Sequence, residues 1–279
     1  MFTQDVPLGV MPISVRRSSP YEAALVGDDL EREKALALLR SVPDYDSADL
    51  NELVATAVHD IAQSLAWHGR SFFEIVPSSE ESQSELQEVV ARPLFRLRWF
   101  YVQIVPKADR KYWGDTVIRV APARSIWQIS MPTALDGYNG YRRLQRRLRR
   151  ADRLAPAFWQ RDLEQGIVTR GFDFSEYRRQ GEILEARVTR KWGWPRRDYS
   201  GQNWTEFALF YRVVTFHWAQ AKLREHIIVE LNKLFVRLSI RAELRVSGLP
   251  SASEILDFRN KMVEGTITFA KASEASSVN

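Results

Sequence analysis

A helix with one apolar face is the clearest pattern in the first half of the chain. Its apolar positions step by three and four residues, the spacing that places side chains on one side of a helix. They are Leu50, Val54, Ala57, Ile61 and Leu65. Asp46 and Ser47 are suitable residues to cap its start, and Gly69 stands where a left-handed residue commonly ends a helix. We therefore predict a helix that buries one face and ends before Gly69.

Runs rich in β-branched and aromatic residues follow this helix and predict strands. They cover residues 71–76, 94–105, 116–121 and 125–130. The polar residues 77–92 are interpreted as a loop or insertion, with a weak helix as the alternative. Ahead of the helix, residues 1–45 are predicted to form an extended arm and a short helix over 28–39. Residues 46–139 thus make an α+β unit with a small, largely antiparallel sheet.

A second helical pattern begins at residue 140 and separates apolar from cationic positions. Arginines occupy one face, and the other face carries Leu144, Leu148, Ala151, Ala155 and Phe158. Pro156 lacks a backbone donor and is expected to bend or split this helix. After a short connector, residues 166–174, the mixed-charge segment 175–192 predicts another helix. Two helices joined by so short a connector predict an αα-hairpin.

A long helix is predicted over residues 205–238, after a break at 193–203 whose two glycines and proline exclude a continuous helix. Its first half is apolar nearly all round, so neighbours should enclose Phe207, Phe210, Val213, Val214, Phe216 and Trp218. Its second half has one apolar face formed by Leu223, Ile227, Leu231, Leu234 and Leu238. A short strand (240–246), a turn (248–250) and a helix (251–264) follow. That last helix opens with the capping box Ser251-x-x-Glu254, and Gly265 is expected to terminate it.

Composition and charge narrow the class of partner. Hydrophobic residues make up 45% and charged residues 27%, which is ordinary for a folded domain. Nine Trp and fourteen Phe suit large cores and subunit interfaces. The absence of Cys excludes disulfides and thiolate metal sites. The net charge is only +5, but seven arginines fall in one stretch, namely Arg142, Arg143, Arg146, Arg147, Arg149, Arg150 and Arg153.

Such a concentrated arginine face predicts contact with a polyanion, either a phosphate backbone or an acidic protein surface. A solvated helix face is the alternative. The first fifteen residues lack the charged and apolar segments of a secretory leader. The longest uncharged run of the long helix, residues 213–221, is far shorter than the roughly 20 residues that span a bilayer. We expect a soluble protein.

Candidate catalytic and metal-binding residues are sparse. The histidines at 59, 68, 217 and 226 form two pairs nine residues apart, a spacing that does not place two ligands on adjacent turns of a helix. Acidic clusters at 28–33 and 44–49 are interpreted as helix starts and turns, with a divalent-cation site at the second as the alternative. Residues 137–140 lack the spacing and the lysine of a phosphate-binding loop. We expect no catalytic site, no metal and no cofactor.

The order of several segments resembles the portal proteins of tailed bacteriophages. Leu38-Leu39, the following helix and the run Trp67-His68-Gly69-Arg70-Ser71-Phe72-Phe73-Glu74-Ile75-Val76 are similar to the entry into that family's wing domain. Residues 122–127 resemble the segment before the family's stem. Residues 224–232, the turn Gly248-Leu249-Pro250 and residues 262–270 are similar to its final helix, strand and ending. The resemblance lies in the order of these motifs and covers most of the chain.

This resemblance implies a portal-like fold of five parts. They are an N-terminal arm and short helix (1–45), a wing domain (46–139), a helical-hairpin stem (140–192) with a short clip (166–174), a tunnel loop (193–203), and a spine helix with the C-terminal part of the wing (204–279). Portal subunits form a ring, usually of twelve, around a channel for double-stranded DNA, which they contact without sequence specificity. The chain is shorter than most portals.

The family's other partners are the major capsid protein, the terminase and head–tail adaptor proteins. The resemblance therefore implies a structural protein rather than an enzyme, located at the portal vertex of the virion (the head–tail connector) and in the host cytoplasm during assembly. It implies no membrane and no cofactor.

The resemblance also implies which residues meet DNA. On the arginine helix they are Arg142, Arg143, Arg146, Arg147 and Arg150, and in the tunnel loop they are Arg196 and Arg197. The same loop contains Trp194, Pro195, Tyr199 and Asn203. The alternative for this segment is a surface loop whose Trp192 and Trp194 pack against the long helix.

Two other function classes are compatible with these residues. One is a cellular nucleic-acid-binding protein that uses the arginine helix without forming a ring. The other is an enzyme whose active site has no recognisable motif. The mass in solution separates the portal hypothesis from the first alternative, because a ring weighs several hundred kilodaltons.

Overall fold

A computed structural model describes residues 1–11, 21–43, 47–77, 84–89, 94–107, 110, 116–153, 174–195 and 204–267. The fold is α+β, with seven helices and small antiparallel sheets among these residues. The chain divides into two compact units. We call Thr3–Pro132 with Lys222–Pro250 the sheet unit, and Met1–Phe2 with Thr133–Ala221 and Ser251–Asn279 the helix unit.

The described elements, in chain order, are as follows. Helix α1 (Phe2–Leu8) is followed by β1 (Glu22–Val26), α2 (Asp29–Arg40), α3 (Leu50–His68), β2 (Arg70–Pro77), β3 (Ser84–Glu88), β4 (Leu94–Leu97), β5 (Phe100–Ile104), β6 (Ile118–Pro122) and β7 (Ile126–Ser130). Then come α4 (Gly137–Arg153), α5 (Phe174–Val188), α6 (Glu206–Arg237), β8 (Glu243–Ser247) and α7 (Ala252–Val263).

Helix α3 is the central helix of the sheet unit. Its predicted face is buried at Val54, Ala57, Ile61 and Leu65, and Leu50 is half-buried. Burial extends further round the helix, since Leu53, Val58 and Ala62 are also fully covered. Gly69 ends the helix with a φ of 75°, as predicted. The predicted cap is wrong in detail, because Asp49 is the N-cap and its carboxylate accepts from the Asn51 amide at 2.9 Å. The Ser47 hydroxyl accepts from the Asp49 amide and so orders the preceding turn.

The strands form three small sheets rather than the single sheet predicted. The strand orders are β3-β2-β7, β4-β5-β6 and β1-β8, and all of these pairs are antiparallel. The expectation of a loop or weak helix over 77–92 is wrong for Ser84–Glu88, which pairs with β2. This short polar strand has a single apolar side chain, Leu86, which is buried, and its identity therefore depends on the partner strand.

The N-terminal region differs from the predicted arm. Residues Phe2–Leu8 are helical, and Glu22–Val26 form a strand that pairs with β8, with Glu22 opposite Ser247. Helix α2 confirms the predicted short helix, and Asp28 caps it by accepting from the Glu31 amide. The pairing of β1 joins residues more than 200 positions apart, and no local pattern announces such a partner.

Helix α6 is 32 residues long, which corresponds to about 48 Å. In the sheet unit its predicted apolar face is buried at Leu223, Ile227, Leu231 and Leu234, whereas Leu238 lies just beyond the helix end. In the helix unit, Val214 of α6 packs with Met262 of α7. Within the single chain the expected enclosure of the first half does not extend to Phe207, which is 45% exposed.

Helix α7 confirms its predicted start and end. The Ser251 hydroxyl accepts from the Glu254 amide, and the Glu254 carboxylate accepts from the Ser251 amide at 2.7 Å, so the capping box is complete. Gly265 follows the helix with a φ of 72°. This left-handed residue lets the Thr266 amide donate back to the Lys261 carbonyl at 3.0 Å, a typical helix termination.

Glu31 provides a test of the sheet unit. Its carboxylate accepts from Lys34 Nζ at 2.7 Å and from the Arg241 backbone amide at 2.7 Å. The lysine hydrogen bond, followed by the amide bond, holds the pKa of Glu31 below its ordinary value near 4.5. A lowered pKa stabilises the fold above that ordinary value, and the effect is lost as pH falls through the folded-state pKa.

We therefore expect Glu31→Gln to unfold at a lower urea concentration than the wild type at pH 7. The gap should narrow as the pH falls below 4.5 and close below the folded-state pKa, because the wild-type carboxylate is then protonated in the folded state as well. Glu33→Gln, which changes an exposed carboxylate of the same helix, is the matched control. A difference in unfolding urea concentration between Glu31→Gln and the wild type that is equal at pH 7 and in acid would contradict the role assigned to the Glu31 carboxylate.

Candidate nucleic-acid interface

Helix α4 presents an arginine face on one side and a packing face on the other. Arg143, Arg146, Arg147, Arg149 and Arg150 are exposed. Arg142 is half-buried and donates to the Gln145 side chain at 3.3 Å. On the opposite side Tyr141, Leu144 and Gln145 are buried. The predicted two-sided helix is therefore present, and the exposed positions leave five guanidinium groups open to solvent.

The packing side of α4 is anchored by Tyr141. Its ring lies 5.5 Å from that of Trp192 and 6.3 Å from that of Phe2, measured between centroids. Burial raises the pKa of the Tyr141 hydroxyl strongly, and a hydrogen bond with Gln145 opposes this only in part. Tyr141 therefore packs as a neutral phenol.

Helices α4 and α5 form the predicted antiparallel pair. They pack against each other, and Lys191, just after α5, forms an ion pair with Asp136, just before α4. The end of one helix therefore lies beside the start of the other. The predicted second helix is shorter than expected, because it ends at Val188 and residues 189–193 form a turn. The predicted clip residues 166–173 and Pro156 lie outside the described residues.

The segment after α5 is held by a cluster of aromatic rings. Trp192 is fully buried and Trp194 nearly so. The Phe2 ring meets both of them edge to face, at 5.4 Å and 5.6 Å between centroids. The two tryptophans are thus packed, and the ring contacts of this cluster are with Phe2 and, for Trp192, with Tyr141. Trp194 therefore anchors the base of the segment, and Pro195 beside it is half-buried.

A buried cation, Arg212 of α6, fixes the same segment through backbone carbonyls. Its Nη2 donates to the Trp194 carbonyl at 2.6 Å and its Nε to the same oxygen at 3.2 Å. Nη1 donates to the Ala186 carbonyl at 3.2 Å, and Nη2 also donates to Thr189 Oγ1 at 2.9 Å. The Ala186 carbonyl belongs to the last turn of α5, where carbonyls lack helical partners and a cation is favourable.

We call the contacts of Arg212 with the Ala186 and Trp194 carbonyls the Arg212 anchor. Gly193 is part of it because no larger residue fits at this position. Its φ is 67°, a left-handed conformation that costs other residues strain. A Cβ added there would lie 2.4 Å from the Thr215 Cβ and 2.5 Å from the Arg212 carbonyl oxygen. The close approach of this backbone to α6 is therefore what brings the Trp194 carbonyl within reach of Arg212.

Sequence reasoning did not identify Arg212 or Phe2 as parts of this region. A signal for Arg212 was present, since it is the one charged residue between Glu206 and Lys222. A lone arginine in an apolar helix indicates a buried hydrogen-bonding role. Phe2 carried no such signal, because its partners lie about 140 and 190 residues away.

Several predicted site residues lie outside the described residues. The predicted site residues outside the described ranges are Arg196, Arg197, Tyr199 and Asn203. Two residues of the second acidic cluster, Asp44 and Asp46, lie outside them as well. Within the described part of the chain, no three His, Asp or Glu side chains converge as a possible metal site. No helix there is both long enough and apolar enough to cross a membrane.

Comparison of the chain with protein-family models, curated proteins and solved structures finds no match. Any statement of function for this chain therefore depends on its residues and their geometry.

The anchor can be tested with two glycine substitutions. Gly193→Ala should lower the free energy of unfolding by roughly 2 kcal/mol or more, through left-handed strain and steric overlap with α6. Gly181→Ala is the matched control: Gly181 lies within α5 and has open space around its Cβ position, so alanine should be neutral or add about 0.5–1 kcal/mol. Denaturant unfolding followed by tryptophan fluorescence measures both. An equal change in the free energy of unfolding for both variants would show that Gly193 has no special role beside Arg212.

Proposed function

We propose that this chain is a portal-type structural subunit that assembles into a ring through which phage DNA is packaged and ejected. The observation that carries the proposal is the two-sided helix α4, which packs through Tyr141 and Leu144 and turns Arg143, Arg146, Arg147 and Arg150 to solvent. A channel wall needs this division, because one side must join the subunit while the other meets a polyanion.

The arginine face suits a DNA backbone without sequence recognition. Guanidinium groups contact phosphate oxygens, and such contacts position a duplex but carry no sequence information. Each neutralised phosphate releases condensed counterions, so binding weakens steeply with salt. Arg196 and Arg197 would add to this contact from the tunnel loop, as the resemblance to portals implies.

The other features that support the proposal are the antiparallel pair α4–α5, the anchored segment after α5, and the 32-residue helix α6. They follow one another in the order of a portal's stem, tunnel loop and spine. In this proposal the ring has about twelve copies, and its partners are the major capsid protein, the terminase and head–tail adaptor proteins. The protein is then a structural component of the virion, assembled in the host cytoplasm, and not an enzyme.

The exposed arginine face also favours a second candidate, a cellular nucleic-acid-binding protein that does not form a ring. The two candidates share the contact with phosphate but differ in mass. Mass in solution and salt dependence of DNA binding are therefore separate tests.

We expect the full chain to form a closed ring of identical subunits. Size-exclusion chromatography with light scattering, at micromolar concentration and at two salt concentrations, should give several hundred kilodaltons; twelve copies of the 32.3 kDa chain amount to about 390 kDa. A species of 32.3 kDa under all of these conditions would contradict the ring.

Replacing Arg146, Arg147 and Arg150 with Gln should weaken binding to double-stranded DNA and flatten its salt dependence. Up to three phosphate contacts are lost, so the slope of log K against log salt should become shallower by about 2–3. Fluorescence anisotropy with two DNA sequences of equal length measures this, and the loss should be the same for both sequences.

The matched control for charge replaces three exposed arginines of the sheet unit, Arg32, Arg124 and Arg245, with Gln. It removes the same net charge but leaves α4 intact, and the salt slope should stay near that of the wild type. An unchanged slope in the α4 variant would assign its arginines to solvent or to protein contacts. A monomer that binds DNA through α4 would support the cellular alternative.

A further inference from the structure

The sheet β4-β5-β6 has an inverted distribution of polar and apolar residues. Its strand register places Phe95, Val102 and Val120 in one cross-strand row, with Leu97, Phe100 and Pro122 in a second row and Ile104 and Ile118 in a third row on the same face. These eight positions are all apolar. The polar residues of the three strands, Arg96, Gln103 and Arg119, belong to the rows of the opposite face.

The opposite face is the one that packs inside the sheet unit. Leu94, Tyr101 and Ala121 are buried there against Phe72 and Ile126. The Tyr101 ring meets the Phe72 ring at 5.8 Å, and the Tyr101 hydroxyl donates to Gln128 at 2.9 Å. These contacts hold the register, and a slip of one residue would exchange the two faces. The apolar rows are thus held on the outside of the sheet unit.

The outer face is open to solvent in the single chain. Six of its side chains are between 47% and 59% exposed, namely Phe95, Leu97, Phe100, Ile104, Ile118 and Val120. Trp99, at the tip of the β4–β5 hairpin, is 65% exposed. Sheets that face water on one side normally carry polar residues there. We refer to these six residues with Trp99 as the apolar sheet face.

The size of this face is that of a protein–protein interface. Side chains of about 150–250 Å², each roughly half exposed, amount to roughly 500–900 Å² of apolar surface over the seven residues. The largest apolar patch of an ordinary monomer is about 300–600 Å². A stable, specific interface buries roughly 600–1,000 Å² on each partner. The apolar sheet face alone therefore provides the area that a stable dimer contact needs.

We infer that a second copy of this chain covers the apolar sheet face. The interfaces of transient complexes are about as polar as the rest of a protein surface, whereas interfaces between identical subunits are more apolar. This face has no charged or hydrogen-bonding side chain in its eight register positions, which fits a permanent contact. A second copy is also the one partner present wherever the chain is made. The inference holds for a closed pair as well as for a ring, and so goes beyond the proposed function.

The direct test places a charge in the middle cross-strand row of the face, at Val120 on β6. Val120→Glu changes an exposed side chain, so the subunit should fold as the wild type does, which far-UV circular dichroism checks. Burying the carboxylate in an apolar contact is unfavourable, and light scattering should show the mass reduced at least twofold. Leu30→Glu, at a similarly exposed apolar position of α2, is the matched control and should keep the wild-type mass.

A second measurement uses the absence of cysteine from the chain. Val120→Cys should react with a maleimide at least tenfold more slowly in the multimer than after dilution to monomer, whereas Leu30→Cys should react equally in both. Protection of Val120→Cys in a species that light scattering shows to be monomeric would mean that the chain covers its own face, and it would overturn the inference. So would fast labelling at every concentration.

The outcomes separate this inference from the ring. A wild-type ring whose mass is unchanged by Val120→Glu overturns the inference and leaves the ring in place. A wild-type dimer that Val120→Glu converts to monomer supports the inference and contradicts the ring. A wild type that is monomeric at every concentration overturns both.

Discussion

The candidate interface depends on one buried cation. The Arg212 guanidinium donates hydrogen bonds to the Trp194 and Ala186 carbonyls and to the Thr189 hydroxyl. A buried guanidinium is costly unless its donors are satisfied, and hydrogen bonds to a charged group contribute about 1.5–3 kcal/mol each. The Ala186 carbonyl lies in the last turn of α5, where carbonyls lack helical partners. The cation therefore ends one helix, holds the following turn against α6, and keeps the aromatic cluster beside α4 closed.

This anchor explains how a very basic helix can be part of a stable unit. The arginines of α4 repel one another, and the helix gains little from its own exposed side. Its stability comes from the opposite side, where Tyr141 meets Trp192 and Phe2. Because packing on one side stabilises the helix, the arginine side chains on the other side are not needed for its stability. Five guanidinium groups are therefore exposed, and in the proposed function they contact a phosphate backbone.

The sheet unit distributes its apolar residues in a different way. The second half of α6 follows the usual rule of one buried stripe, with Ile227 and Leu231 fully covered, and the buried surface of α3 extends further round its helix. The sheet β4-β5-β6 instead has apolar residues on both sides of its central strand. Burial of Tyr101 and Ala121 determines the inner side. Their neighbours along each strand, such as Val102 and Val120, therefore lie on the outer side. That outer side is apolar as well, which is the composition of a contact surface rather than of a surface that meets water.

Local patterns in the sequence by themselves determined the helices α2, α3, α6 and α7, the strands β2, β6, β7 and β8, and the two-sided character of α4. The predicted strand over 94–105 is wrong, because β4 and β5 are two strands that pair as a hairpin with a turn at Arg98 and Trp99. Apolar spacing, Gly69, Gly265 and the Ser251–Glu254 box act between residues a few positions apart, so the sequence shows them directly. Only the tertiary structure decided that β3 is a strand, that β1 pairs with β8, that Trp194 is buried, and that Arg212 binds the end of α5. Each of these depends on a partner distant in the chain or on which side of an element is covered. Hydrogen bonding and burial act through space, and a short window of sequence does not contain the partner.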